Sequence, residues 1–136
     1  MIYRKDRKVL KRVDYGAAKN SLMGVLAALV VYALVTAWGG VYRAYELETL
    51  IAGGAVVLVT AYRLWLVARF DALYGAGPAR WRRLFALGLI LHALVWGVLP
   101  AWLVWRVGTG FNVFVVILYN VGVTTALGSS WMAGLR

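Results

Sequence analysis

Four long apolar stretches constrain this chain more than any other feature. They run over about residues 21–38, 49–70, 84–105 and 111–135, and the first and the fourth contain no charged residue. A helix of about 20 apolar residues crosses the hydrocarbon layer of a bilayer. These stretches are also about twice as long as a transmembrane β-strand and lack its alternating pattern. The sequence therefore predicts an all-α integral membrane protein with four transmembrane helices.

Short glycine-containing connections separate these stretches. They lie at Gly39–Gly40, Gly75–Pro78 and Gly108–Gly110. Glycine and proline interrupt helices, and short connections join antiparallel neighbours in a bundle. We therefore expect residues 1–20 to form a basic N-terminal segment and residues 21–136 to form one antiparallel four-helix transmembrane domain.

Positive charge is unevenly distributed along the chain and predicts its orientation. Seven of the 15 Lys and Arg residues lie in the first 19 positions, and five more flank the connection between the second and third stretches. Only Arg43 and Arg106 fall in the other two connections. Basic residues collect on the cytoplasmic side of membrane proteins. This pattern places both termini in the cytoplasm and predicts a multi-pass protein of a bacterial cytoplasmic (inner) membrane.

The composition excludes several function classes. A net charge of +10 invites a nucleic-acid interpretation, but attraction to anionic lipid headgroups explains the same residues with fewer assumptions. The chain has no cysteine, so thiolate chemistry and disulfides are excluded. The sequence shows no carboxylate pair, nucleophile triad, phosphate-binding loop or metal cluster, so we expect no catalysis. The expected partners are membrane lipids and other membrane proteins, or further copies of the chain.

His92 is the only histidine and lies near the middle of the third stretch. A polar group at that depth needs a partner, because lipid offers none. The imidazole could act as a proton-responsive switch, contact a ligand, or bind a haem iron or a chlorophyll magnesium. The plainer interpretation, which we favour, is a neutral imidazole that is hydrogen-bonded to Thr60 or Asn120 at similar depth.

Five arginines are predicted to meet the lipid headgroups on the cytoplasmic side. Arg63 lies about one and a half turns inside the second stretch, so we expect its stem to be buried and its guanidinium to reach towards the cytoplasmic interface. The alternative is that Arg63 binds an anionic lipid or ligand between helices. The other four flank the same connection: Arg69, Arg80, Arg82 and Arg83.

Small residues recur every four positions in the fourth stretch, at Gly122, Ala126, Ser130 and Gly134. This spacing lets two helices approach closely. Packing within the chain and contact with a partner or a second copy both fit the pattern. The basic segment 1–20 also has two interpretations: an amphipathic helix at the interface, or a solvated tail that sets the topology.

Several segments carry motifs near the ends of the predicted spans. The run from Arg80 to Leu87, followed by Trp96–Gly97, is similar to an "RRWxRxF…G…WG" pattern, and Tyr62–Trp65 with Phe70 resembles an "RLxLxxxF" element. Tyr15 and Ser21 fit a "YxxxxxS" entry to the first span, and Gly122 and Gly128 fit a small-residue pattern in the fourth span. Together these segments resemble the N-terminal multi-helix membrane regions of bacterial sensor histidine kinases and diguanylate cyclases.

The resemblance covers about residues 12 to 130 and implies a sensory input module. Two departures limit what it implies. Members of that group usually continue into further helices and a cytoplasmic catalytic domain, whereas this sequence stops at Arg136, so we expect a stand-alone relative or a truncated module. His92 stands where they usually have a small or apolar residue. No phosphoacceptor or ATP-binding segment is present, so kinase activity is not implied.

Three functions fit these features. The first is a non-catalytic input module that acts through helix packing with partners, lipid or a membrane-soluble ligand. The second is an accessory or structural subunit of a respiratory or photosynthetic complex, with His92 near a pigment or haem. The third, a small transporter, ranks last because few polar groups are available to line a path.

Overall fold

The chain is helical throughout the part that the structure describes. The computed structural model describes residues 2–38, 40–108, 110 and 117, and it describes side chains within 7–37 and 40–106 and at 108, 110 and 117. The helices are α1 (Ile2–Trp38), α2 (Val41–Ala44), α3 (Glu46–Ala68), α4 (Phe70–Ala76) and α5 (Pro78–Val107). No strand occurs among these residues. The predicted all-α class is confirmed for this part of the chain.

Three of these helices are long and apolar enough to cross a membrane. The qualifying segments are Arg7–Ala37 in α1, the whole of α3, and Pro78–Arg106 in α5. The first and third predicted stretches lie on these helices, and the second, 49–70, extends two residues past the end of α3, across the break at Arg69 to the first residue of α4. The fourth, 111–135, lies outside the described residues except for Ile117, which is helical. Three candidate spans indicate a membrane protein, while the count of four and the orientation of the termini stay predictions.

The helices end where the sequence has glycine, or at a single non-helical residue. Gly40, with φ of 68°, precedes α2, and Gly108, with φ of 80°, follows α5. A positive φ is costly for residues with a Cβ atom, so glycine suits both positions. Arg69 alone separates α3 from α4, and Pro78 begins α5, where its missing N–H costs no helical hydrogen bond.

Helix α3 packs against both α1 and α5, and two clusters of buried side chains fill the space between the helices. The first, which we call the valine–leucine cluster, comprises Ala28, Val35, Val41, Val56, Trp96, Leu99 and Leu103. The second, which we call the aromatic cluster, comprises Ala18, Phe70, Tyr74, Trp81 and Phe85. Helix association in lipid depends on close packing and hydrogen bonds rather than on water exclusion. The two clusters therefore stabilise opposite ends of the same helix assembly.

The basic N-terminal segment is part of α1, which continues without interruption into the first candidate span. It also packs against other helices. Lys11 Nζ lies 2.7 Å from Asp71 Oδ1 on α4. Tyr74 donates a hydrogen bond of 2.8 Å to Asp14, which is 60 residues away in sequence. These contacts attach the segment to α4.

Candidate functional site around Arg63

Arg63 lies on the inward stripe of α3. The buried residues of the second half of this helix are Val56, Val59, Thr60, Arg63 and Leu66. Their spacing of three or four positions places them on one face of a helix. Arg63 is only 2% exposed. The guanidinium therefore lies inside the protein, six residues before the break at Arg69.

Ser21 on α1 is the hydrogen-bond partner of this guanidinium. Arg63 Nη2 donates to Ser21 Oγ at 2.5 Å, and the serine hydroxyl in turn donates to the carbonyl oxygen of Ala18 at 2.7 Å. Because the hydroxyl proton is engaged by Ala18, the oxygen presents a lone pair to the arginine. The pair joins α1 to α3 through a charged donor and a neutral acceptor.

The α5 side of the site consists of an aromatic ring and a glycine. The Arg63 guanidinium carbon lies 5.1 Å from the centre of the Phe85 ring, which is within cation–π range. A Cβ atom on Gly88 would lie 2.8 Å from Arg63 Cδ and 3.1 Å from Tyr62 Cε1. Because Gly88 has no Cβ atom, there is room beside α5 for the aliphatic part of the Arg63 side chain.

No carboxylate pairs with Arg63 among the described side chains. Asp14 pairs with Arg82, Asp71 with Lys11, and Glu48 with Arg106. Glu46 accepts a hydrogen bond from Tyr42. The remaining acidic residue, Asp6, precedes Ser21 by fifteen positions on α1, about 22 Å along the helix axis. Within the part of the chain that the structure describes, the guanidinium is a buried cation without an anionic partner.

This arrangement corrects one prediction. We expected Arg63 to extend towards the cytoplasmic interface, and the structure instead buries its side chain between α1, α3 and α5. The physical reason is the face on which it lies: a lipid-facing arginine can extend along the surface, whereas one on the inward stripe is enclosed by its neighbours. The other four predicted headgroup arginines, Arg69, Arg80, Arg82 and Arg83, are exposed. Arg82 forms an ion pair with Asp14 at 2.9 Å.

His92 lies one turn beyond Gly88 on α5 and is 9% exposed. Its ring centre is 6.3 Å from that of Trp96. Thr60, one of the two hydrogen-bond partners predicted for it, donates its hydroxyl proton to the Val56 carbonyl oxygen at 2.8 Å. Asn120, the other, lies outside the described residues, as do Gly122, Ala126, Ser130 and Gly134. Among the described residues no group of three His, Cys, Asp or Glu side chains is placed to bind a metal.

A stack of aromatic rings extends from Arg63 towards the break between α3 and α4. Phe85 stacks on Trp81 at 5.0 Å, and Trp81 meets the edge of Phe70 at 4.9 Å. Trp81 is 1% exposed, and its Nε1 has no hydrogen-bond partner among the described residues. Tyr74 is the remaining aromatic residue of the aromatic cluster. Burial, together with the neighbouring Asp14 carboxylate, raises the pKa of its hydroxyl.

Sequence reasoning did not single out Phe85 or Gly88 as neighbours of Arg63. A signal for both was present, because the α5 residues Trp81, Phe85, Gly88, His92 and Trp96 recur at spacings of three and four. That spacing is typical of a helix face that packs against other helices. Comparisons with protein-family models, with curated proteins and with solved structures found no match to this chain. The resemblance to sensor membrane regions therefore stays a prediction.

Proposed function

We propose that this chain is a non-catalytic integral membrane protein that works as an input module, in which the packing around Arg63 responds to a membrane-soluble ligand or to a partner. The proposal places it in a bacterial cytoplasmic membrane, with α1 beginning in the cytoplasm. The support for that placement is the excess of basic residues at one end of the bundle.

The observation that carries the proposal is the buried Arg63 guanidinium. Removing such a charge from water costs several kcal/mol. Only a well-placed anion offsets a cost of this size. Here a serine hydroxyl and an aromatic ring replace the anion. Ionisable residues within membrane spans usually mark functional sites. In this arrangement of the helices the desolvation cost of Arg63 is not offset. A ligand or protein that offers the guanidinium a better partner can therefore shift the helices to another arrangement.

The mechanism follows from where the contacts of Arg63 lie. Its partners belong to two other helices, because Ser21 is on α1 and Phe85 is on α5. A ligand or partner that draws the guanidinium away from Ser21 weakens the joint between α1 and α3. Signalling requires that this ligand bind one packing better than the other. Helix α1 carries the change out of the membrane.

The test is to identify what is associated with the full chain in its native membranes. We expect gentle solubilisation to retain a protein with a cytoplasmic output domain, such as a kinase or a cyclase. Arg63→Leu should remove or lock the regulation of that output, and the exposed Arg43→Leu should not change it. An output that responds equally in both variants contradicts the proposal.

An accessory subunit of a larger membrane complex is the second candidate. It is favoured by an apolar groove of about 440 Å³ between α3 and α5, lined by residues that include Ile51, Ala55, Leu94 and Val98. Such a groove suits an acyl or isoprenoid chain or a partner helix. Electron-transfer subunits in the purified material, with a visible absorption band that His92→Leu removes, would establish this role and overturn the first.

A further inference from the structure

A cleft lies beside α1 at the basic end of the bundle, away from Arg63. It has a volume of about 670 Å³ between the N-terminal half of α1 and the start of α4. Its lining includes Lys8, Lys11 and Arg12 from α1, and Phe70 and Asp71 from α4.

The charges in the cleft are not balanced. Among the described residues its lining has three cations and one carboxylate, and that carboxylate, Asp71, forms an ion pair with Lys11 at 2.7 Å. Lys8 and Arg12 are four positions apart, so they lie on the same face of α1. Like charges at this spacing destabilise a helix unless an anion lies between them. The cleft therefore has an excess of two positive charges on adjacent turns.

The level of the cleft relative to the membrane follows from the Arg63–Ser21 bond. Arg69 follows Arg63 by six residues, and Tyr15 precedes Ser21 by six, so both lie about 9 Å beyond that bond on the same side. The apolar stretch of α3 ends there. Tyr15, which also lines the cleft, packs against Phe70 at a ring distance of 5.0 Å. Tyrosine at this depth is typical of the headgroup layer.

We infer that this cleft binds the phosphate of an anionic phospholipid, with Lys8 and Arg12 as the residues that contact it. Arginine and lysine donate charge-assisted hydrogen bonds to phosphate oxygens. The aromatic floor formed by Tyr15 and Phe70 supports the glycerol end of the lipid, where the headgroup meets the acyl chains. Lys11 contributes less, because Asp71 already neutralises it. This inference is independent of the function proposed for Arg63.

The experiment measures lipid retention by the purified full chain with native mass spectrometry. Phosphatidylglycerol and phosphatidylcholine are the two probes. We expect the wild-type chain to retain one phosphatidylglycerol in preference to phosphatidylcholine. Since each charge-assisted hydrogen bond to a phosphate oxygen contributes at least about a tenfold factor, Lys8→Gln with Arg12→Gln should weaken phosphatidylglycerol binding about 100-fold.

The matched control is Arg7→Gln with Lys19→Gln. It also removes one arginine and one lysine from α1, and neither residue lines the cleft. We expect this control to lose only about threefold, because Arg7 and Lys19 attract the phosphate through screened long-range electrostatics and not through hydrogen bonds. Equal losses in the two double variants would show diffuse attraction rather than a site, and would overturn the inference.

A gain-of-affinity variant separates lost binding from lost folding. Asp71→Asn removes the carboxylate that the described residues contribute to the cleft and frees Lys11. Because the Asp71 side chain is 84% exposed, this ion pair contributes little to stability, and Tyr74 still joins α4 to Asp14 of α1. We expect phosphatidylglycerol to bind about fivefold more tightly. Unchanged or weaker binding contradicts the inference. Displacement of the lipid by excess inorganic phosphate or by an acidic peptide would assign the cleft to a soluble anion or to a protein, and would also overturn it.

Discussion

The two ends of the bundle are packed by different means. At the basic end, the aromatic cluster is joined to directional contacts: Arg63 to Ser21, and Tyr74 and Arg82 to Asp14. At the other end, the valine–leucine cluster is aliphatic for the most part, its directional contacts are those of Tyr32 with the Thr49 carbonyl oxygen, Tyr45 with the Arg106 carbonyl oxygen and Arg106 with Glu48, and an apolar groove remains open beside it. Both ends lie in the same helices, α1, α3 and α5.

This difference indicates which end of the bundle determines how the helices are positioned relative to one another. Apolar side chains pack about as well against lipid as against each other, so an aliphatic end can exchange one neighbour for another at low cost. Hydrogen bonds and ion pairs require particular partners at particular distances. We therefore expect the basic end to fix the relative positions of the helices, and the valine–leucine end to tolerate substitution and to accept partners.

The largest expected effect is that of Trp81→Ala. Its ring contacts Phe70, Tyr74 and Phe85, so its removal opens a cavity in the aromatic cluster. Substitutions of this kind cost about 3–5 kcal/mol. Unfolding in a detergent titration should show this loss, and Leu103→Ala in the valine–leucine cluster should cost less. The reverse order would break the comparison.

Two glycines provide the next contrast. A Cβ atom on Gly88 would lie 2.8 Å from Arg63 Cδ, and one on Gly53 would lie 3.1 Å from Tyr32 Cε1. Overpacking costs about 1–3 kcal/mol. We expect Gly88→Ala to fall in this range, and Gly53→Ala to cost less because its closest Cβ contact is longer. The same titration measures both, and equal costs would show that the two ends are equally rigid.

Asp14→Asn tests the directional contacts alone. The substitution keeps the shape of the side chain but removes the negative charge to which Arg82 and Tyr74 donate hydrogen bonds. Because the Arg82 side chain is half exposed, we expect a cost of about 1 kcal/mol, which should diminish in high salt. A cost that salt does not change would indicate that packing, not charge, joins α1 to α4.

Arg63→Leu should leave stability within about 1 kcal/mol of the wild-type chain, because replacing a buried charge by an apolar side chain removes its desolvation cost along with its hydrogen bond. This near-neutral result distinguishes a functional arginine from a structural one. A loss of several kcal/mol would show that the guanidinium holds the helices together, and would weaken the proposed input role.

The smallest expected effect is on alkaline stability. The pKa of Tyr74 is raised in the folded chain, chiefly by burial, so the folded state keeps the phenol proton at a pH where the unfolded state releases it. Its contribution to stability is present below the ordinary tyrosine pKa of about 10 and is lost as the pH rises through the folded value. The free energy of unfolding of Tyr74→Phe should therefore fall less steeply as the pH rises. If the free energy of unfolding falls with pH in the variant as it does in the wild-type chain, this contribution of Tyr74 is excluded.

The apolar stretches and the glycine breaks predicted the three long helices of the described part, because both depend on local sequence, whereas α2, α4 and the break at Arg69 were not predicted. The environment of Arg63 was not predicted, since the core and the lipid-facing surface of a membrane protein are both apolar and hydropathy does not separate them. The contact between Asp14 and Tyr74 joins residues 60 positions apart, so no local pattern reports it. The small-residue pattern of the fourth stretch stays a prediction.

The uninterrupted course of α1 has a mechanical consequence. This helix has 37 residues, which makes it a rod of about 55 Å. No hinge divides the portion beside Arg63 from the first turns. A tilt of about 10° around Ser21 would swing the N-terminal tip sideways by about 5 Å, as set by the helical rise. A small rotation within the bilayer thus becomes a displacement large enough for a neighbouring molecule to detect.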